Sequence, residues 1–317
     1  MRIRGLKHSF WILAVLAMPG QVSAQPDQWL TANGDAGAQK YSPANQISPQ
    51  NVRRLKRAWT VHTGDVSRGR EDGTSYHTAW SSTPLFVNNM LYVSTPTSKV
   101  FSVQPDTGKV DWIYDAHPDL AHAGIVKSRG LAYWRASQPA SGQPCQKILY
   151  VGTEDSKLHA IDADTGKPCR TFGKGGTLDI NQWNTVNPSL PLLIRQPPAV
   201  YGDTLIIGWA CEDLAYEKSP PGTVFGVDAR TGQLKWTFQI MPDSVRKRIG
   251  TANIWAGMSV DPKSGLVYLP VSSPEANFYG GDRKEPIPIA TSVTALNADT
   301  GELVWSRQLV HHDIRSE

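Results

Sequence analysis

Residues 292–305 read SVTALNADTGELVW, and this cassette decides the fold. Variants of it stand at residues 99–112 (KVFSVQPDTGKVDW), 157–170 (KLHAIDADTGKPCR) and 223–236 (TVFGVDARTGQLKW). Thr107, Thr165, Thr231 and Thr300 mark the copies, at spacings of 58, 66 and 69 residues. Each copy predicts a strand, a tight turn whose Gly supplies φ > 0, and a second strand. Five residues before each Thr stands a small side chain: Ser102, Ala160, Gly226 or Ala295. Aliphatic residues flank it on both sides, so both faces of the strand are expected to be buried, one of them against a close neighbour. A hairpin sandwiched between copies of itself meets both demands. The pattern therefore predicts an all-β repeat protein of the β-propeller kind.

Outward from the cassettes, each repeat carries an apolar strand upstream: Leu91-Tyr92-Val93, Leu149-Tyr150-Val151, Leu205-Ile206-Ile207 and Val267-Tyr268-Leu269. The third and fourth repeats hold insertions after this strand, at residues 209–221 and 271–291. In a four-stranded antiparallel blade, loops between strands two and three open on the same rim as the blade-to-blade linkers. The Thr-Gly turns open on the opposite rim. Elaboration of one face of a regular array marks the binding face. Four full blades are expected, preceded by residues 25–60, whose Leu55 to Trp59 piece reads as an orphan outer strand. Such a set makes an incomplete ring.

The chain has 317 residues, of which only 19% are charged. Residues 1–24 read as a secretory signal: Arg2, Arg4 and Lys7, a short apolar run at residues 10–18, and Val22-Ser23-Ala24 as a cleavage site. The apolar run is too short to span a bilayer, and no later stretch reaches transmembrane length. An exported, periplasmic chain is expected, with one propeller domain over residues 25–317. Loss of the leader takes the formal net charge from +4 to +1, which gives no case for nucleic acid or anionic membrane as a partner. Of the three cysteines, Cys145 and Cys169 bracket the second cassette and form the expected pair. Nucleotide-binding glycine motifs, a P-loop and a nucleophile elbow are all absent from the sequence.

Candidate chemistry on the elaborated rim comprises Glu212-Asp213 as hard-cation ligands, Asn253 and Trp255, and His311-His312-Asp313. Trp255 is weighed evenly between core packing and a site. The cassette tryptophans Trp112, Trp236 and Trp305 repeat with the blade and read as packing.

Several motifs resemble the quinoprotein dehydrogenases of the glucose/quinate/shikimate type, eight-bladed propellers that bind pyrroloquinoline quinone (PQQ). They are the opening from Trp29 to Trp59, Ser128-Arg129-Gly130-Leu131-Ala132-Tyr133, Asp164-Thr165-Gly166-Lys167-Pro168-Cys169, Gly265-Leu266-Val267-Tyr268-Leu269-Pro270, Tyr279-Gly280-Gly281-Asp282-Arg283 and Val310-His311-His312-Asp313. They run through nearly the whole chain, in family order. The resemblance implies oxidation of an alcohol or sugar hydroxyl, a Ca²⁺ or Mg²⁺ ion beside the quinone, and a quinone or cytochrome electron acceptor. It places Trp255 beneath the cofactor, with Arg129 and Asn253 as further cofactor contacts and Glu212 and Asp213 as the metal ligands. The family's catalytic Asp lies just beyond His-His-Asp, where this chain reads Ile314-Arg315-Ser316-Glu317, and a Lys of a later blade is missing. Val271-Ser272-Ser273 stands where many relatives carry Gly-Asn. On these grounds the chain alone is expected to be inactive. The rival expectation is a non-catalytic propeller acting as a scaffold or binding module.

Overall fold

The computed structural model describes residues 28–314 except 141, 213–217, 276–278 and 282. The leader, Asp213, Asp282 and Arg315-Ser316-Glu317 therefore lie outside the described residues. Two short strands, β1 (His77–Thr78) and β6 (Ile125–Val126), pair in parallel. The other strands form four four-stranded antiparallel sheets. Blade one is β2 (Leu85–Val87), β3 (Met90–Ser94), β4 (Lys99–Val103) and β5 (Val110–Asp115). Blade two is β7 (Ala132–Arg135), β8 (Lys147–Gly152), β9 (Lys157–Asp162) and β10 (Thr177–Asp179). Blade three is β11 (Ala199–Tyr201), β12 (Thr204–Ile207), β13 (Thr223–Asp228) and β14 (Leu234–Gln239). Blade four is β15 (Ser259–Asp261), β16 (Leu266–Val271), β17 (Ser292–Asn297) and β18 (Leu303–Gln308). Within every blade the strands lie side by side in chain order. This order is the one the rim argument requires. The sheets do not close into a ring.

Three apolar clusters fill the three interfaces between these four blades. Leu85, Val100, Leu149 and Ile161 join blades one and two. Tyr150, Leu158, Leu205 and Phe225 join two and three, and Ile206, Val224, Val267 and Leu296 join three and four. The cassette strands are buried on both faces, as expected.

In three of the four cassettes the small residue has a different reason from the one its spacing suggested. The neighbour it admits is the cassette's own tryptophan: Ser102 pairs with Trp112, Gly226 with Trp236 and Ala295 with Trp305. A Cβ on Gly226 would lie 2.0 Å from the Trp236 ring. The indole then caps the turn glycine of the following blade. A Cβ on Gly166 (φ +72) would stand 2.6 Å from Trp112, and one on Gly301 (φ +74) 2.5 Å from Trp236. Blade three's Gly232 meets Phe172 instead, because the second cassette carries Arg170 in place of Trp. Trp305, expected to pack, is 41% exposed: no described sheet follows blade four to receive it.

The second cassette departs from the hairpin pattern. Beyond its turn only an isolated bridge, Ile161 to Pro168, survives, and the outer strand is β10. Pro168 lacks an N–H for a ladder, and Cys169 is tied to Cys145 by the expected disulfide. The chain then loops out through residues 170–176 before returning to the sheet edge. The Leu55 to Trp59 segment joins no sheet. Trp59 nevertheless plays the cassette role: its indole donates to the Pro105 carbonyl at 2.8 Å and covers Gly108. Upstream, residues 29–36 strap the inner strands of the first and last blades together. Trp29 exchanges backbone hydrogen bonds with Phe86, and the Ala36 carbonyl accepts from Val260.

Candidate functional site

The blade linkers and both insertions meet at a cleft of about 580 Å³. The linker into blade two contributes Lys127 and Arg129, the next contributes Arg195, and the third Thr251, Asn253 and Trp255. The insertions add Cys211, Ser272, Ser273 and Glu275. Antiparallel strands in chain order bring these segments to one rim and leave the glycine turns on the other. A larger hollow of about 770 Å³ runs along the inner strands under the N-terminal strap and shares Lys127 and Arg129 with the cleft.

Trp255 is 47% exposed, so it is a cleft wall and not a core residue. Arg129 holds it: the guanidinium carbon lies 4.8 Å from the ring centroid, and Nη1 donates to the Trp255 carbonyl at 3.0 Å. A cation over an indole face is attracted by the ring quadrupole. Asn253 is buried; its Oδ1 accepts from Ser272 Oγ at 2.9 Å, while its amide approaches Cys211 Sγ at 3.8 Å. Asn253 thereby fixes the floor on which Trp255 stands. Gln196 does the same from the other side, donating to the Ile254 carbonyl.

The cleft is cationic at one end. Burial lowers the Lys127 ammonium pKa, and the Arg195 and Arg129 charges lower it further. Burial also lowers that of Arg129, with Arg195 adding to the effect. Mutual repulsion of this kind is relieved by an anion. Arg195 is itself buried and anchored. Its Nε donates to both oxygens of Glu154 at 2.9 and 3.0 Å, and its Nη2 donates to the Ile125 carbonyl at 3.0 Å and to Glu212. Burial raises the Glu154 pKa, and Arg195 pulls it back.

Glu212, expected as a cation ligand, is therefore ion-paired with Arg195, and its partner in that expectation, Asp213, lies outside the described residues. Among the described residues no group of three His, Cys, Asp or Glu side chains could hold a metal ion. Among the described residues, the donors around Glu212 do not suit a divalent cation. The cleft does suit a flat polyanion: an exposed indole face stands beside three positive side chains.

His311-His312-Asp313 braces the cleft wall from behind, since Asp313 bonds Ser273 and Thr291, which line it. Asp313 Oδ2 accepts from Ser273 Oγ at 2.5 Å and Thr291 Oγ1 at 2.7 Å, and His312 Nε2 meets the Arg283 carbonyl at 2.6 Å. This group latches the blade-four insertion; His311 is exposed. Sequence reasoning missed Lys127, Arg195 and Glu154. Arg195-Gln196-Pro197-Pro198 was the available signal, since a charge before two prolines at an inner strand must be carried by a fixed linker.

Four four-stranded blades thus carry this indole and cation cluster on their linker rim. Residues 29–315 match the family model described as PQQ: glucose/ethanol/alcohol dehydrogenase, beta-propeller domain, and the chain belongs to that family. It is 31% identical over 312 residues to a quinate/shikimate dehydrogenase (quinone) of Acinetobacter baylyi, covering 90% of this chain and 38% of that protein. It is 31% identical over 323 residues to the quinoprotein glucose dehydrogenase of Escherichia coli, covering 95% and 40%. Among solved structures, a quinohemoprotein alcohol dehydrogenase of Pseudomonas putida superposes with a TM-score of 0.73 at 26% identity, covering 92% of this chain and 41% of that one. The chain thus spans about two fifths of the length of the relatives it matches. Among the described residues, no helix is long and apolar enough to cross a membrane.

Proposed function

We propose that this chain supplies the PQQ-binding wall of a periplasmic dehydrogenase that oxidises the hydroxyl of a sugar, a polyol or an alcohol. Electrons leave to a quinone or cytochrome acceptor. The observation that carries the reading is the Arg129–Trp255 pair within the cationic cleft. PQQ is a planar tricarboxylate; its ring system suits the indole, and its carboxylates suit Lys127 and Arg129, with the Arg195 charge behind them. When bound, such a cofactor supplies the two-electron acceptor that no protein side chain can provide. The chain's own residues bind it, orient it and exclude water. A divalent cation is left out of this proposal, because Glu212 is engaged by Arg195. Export is supported by the leader pattern at residues 1–24 and by the Cys145–Cys169 disulfide, which belongs to an oxidising compartment.

Quenching of tryptophan fluorescence by PQQ tests the reading. Binding is expected with the mature chain and is expected to weaken about tenfold in Trp255→Ala, the loss of one aromatic stacking contact. Equal quenching and affinity in the variant would move the site elsewhere. Absence of binding altogether would favour a propeller that acts as a scaffold.

A further inference from the structure

We infer that Arg195 takes the place of a divalent cation beside Glu212, so that the cleft binds its anionic ligand without metal. The inference rests on the proposed quinone site for the identity of that ligand, and on the Arg195 contacts alone for the absence of metal.

Four contacts fix the Arg195 guanidinium: both oxygens of Glu154, one oxygen of Glu212, and the Ile125 carbonyl. Its side chain is only 8% exposed. Glu212 Oε2 is engaged by this pair, and Oε1 lies 3.1 Å from where a Cβ on Gly124 would stand. Glu212 accordingly does not line the cleft.

Several oxygens near the cleft are engaged as well, though Asp313 Oδ1 and Gln196 Oε1 are buried without a hydrogen-bond partner among the described residues. Ser272 Oγ donates to Asn253 Oδ1, Ser273 Oγ donates to Asp313, and Glu275 Oε2 accepts from Thr251 Oγ1 at 3.2 Å. Calcium requires about six to eight oxygen ligands, and magnesium demands near-ideal octahedral geometry. Among the described residues, Glu212 is the one carboxylate of this loop, and it is committed to Arg195. A dication there would also stand against a guanidinium that stays protonated throughout the accessible pH range, with Lys127 and Arg129 nearby. Arg195 provides fixed positive charge where the metal would otherwise stand, held in place by Glu154 and Glu212.

Two measurements on the mature chain test this. In equilibrium dialysis with radioactive calcium, the unmodified protein is expected to retain none above a serum-albumin control. PQQ affinity, read by fluorescence quenching, is expected to change by no more than about twofold between EDTA and millimolar Ca²⁺ or Mg²⁺. Arg195→Ser is expected to lower PQQ affinity about tenfold in EDTA, and Arg195→Lys, which keeps the charge but loses the fork, to lower it less. Calcium retained by the unmodified chain and lost in Glu212→Gln would overturn the inference. So would a PQQ affinity that collapses in EDTA. If PQQ does not bind under any condition, the proposed function fails, while the calcium dialysis still decides whether Arg195 has displaced the metal. The dialysis arm needs no variant, so misfolding of Arg195→Ser leaves the inference testable.

Discussion

Arg129 and Trp255 stand 126 residues apart in the chain, on the linkers into blades two and four, yet the guanidinium of one lies 4.8 Å over the ring of the other and bonds its carbonyl. The pair spans the arc and couples the position of the aromatic wall to the packing of the blades between.

Arg129→Lys should therefore weaken PQQ binding by about tenfold and leave stability nearly unchanged. Lysine keeps the charge but loses the planar group and the fixed donor to the Trp255 carbonyl. Binding by fluorescence and unfolding by urea, measured on the same preparation, check both halves of the expectation.

The turn glycines offer a second test, away from the cleft. Gly166 has φ +72, and a Cβ there would stand 2.6 Å from the Trp112 ring. Left-handed backbone costs an L residue roughly 1–2 kcal/mol, and displacing a packed indole roughly 1–3 kcal/mol more. Gly166→Ala should thus destabilise the chain by about 2–5 kcal/mol. Gly142 has nearly the same φ, +73, but nothing within 4 Å, so Gly142→Ala should cost only the backbone part. Equal losses in the two variants would remove the indole cap as a source of stability.

The blades were legible because their pattern is local: a turn, an apolar strand buried on both faces and a small residue five positions before Thr repeat within each cassette. Even the rim assignment follows from strand parity. What the small residue accommodates was not legible, since Ser102 facing Trp112 depends on a cross-strand register that includes a bulge. Trp255 was ambiguous in sequence for the same reason that made it informative in structure. An indole is equally at home in a core, and only the cleft around it separates the two cases. The cation cluster was least legible: Lys127, Arg129 and Arg195 come from two linkers, and only the three-dimensional convergence of the blades makes them neighbours. Glu212 illustrates a further limit, since its place in the chain gave no sign that Arg195 already holds its carboxylate.

Reduction of the Cys145–Cys169 disulfide should be measurable. The bond closes a loop with a sequence separation of 24 residues, for which the chain-entropy argument gives about 3 kcal/mol. It also holds the loop of blade two where Pro168 interrupts the ladder. Urea unfolding with and without dithiothreitol should differ by roughly that amount, and Cys145→Ser should reproduce the reduced curve. A Cys211→Ser control should leave the effect of reduction intact.

The final prediction concerns acid. His159 lies on β9, 6% exposed, between blades one and two. Its Nδ1 is 2.8 Å from the Tyr114 hydroxyl and 3.3 Å from Thr177 Oγ1, while Nε2 is buried with no hydrogen-bond partner among the described residues. The imidazolium needs an acceptor at both ring nitrogens and Nε2 has none, and burial lowers the pKa from 6.5 to about 4, with Asp155 opposing and Lys157 assisting. In the unfolded chain the same imidazole titrates near 6.5. Between these values the unfolded state binds the proton and the folded state does not, so stability falls as pH drops through 6.5 and stops falling on this account below about 4. The loss across that window is about 3 kcal/mol, at 1.36 kcal/mol for each pH unit. His159→Phe keeps an aromatic ring against Tyr114 and removes the titration. Urea unfolding from pH 7 to pH 4 should then show the stability curves of the two proteins converging, or crossing in favour of the variant, as the solution is acidified. Curves that stay parallel over this range would show that His159 is not the source of acid sensitivity.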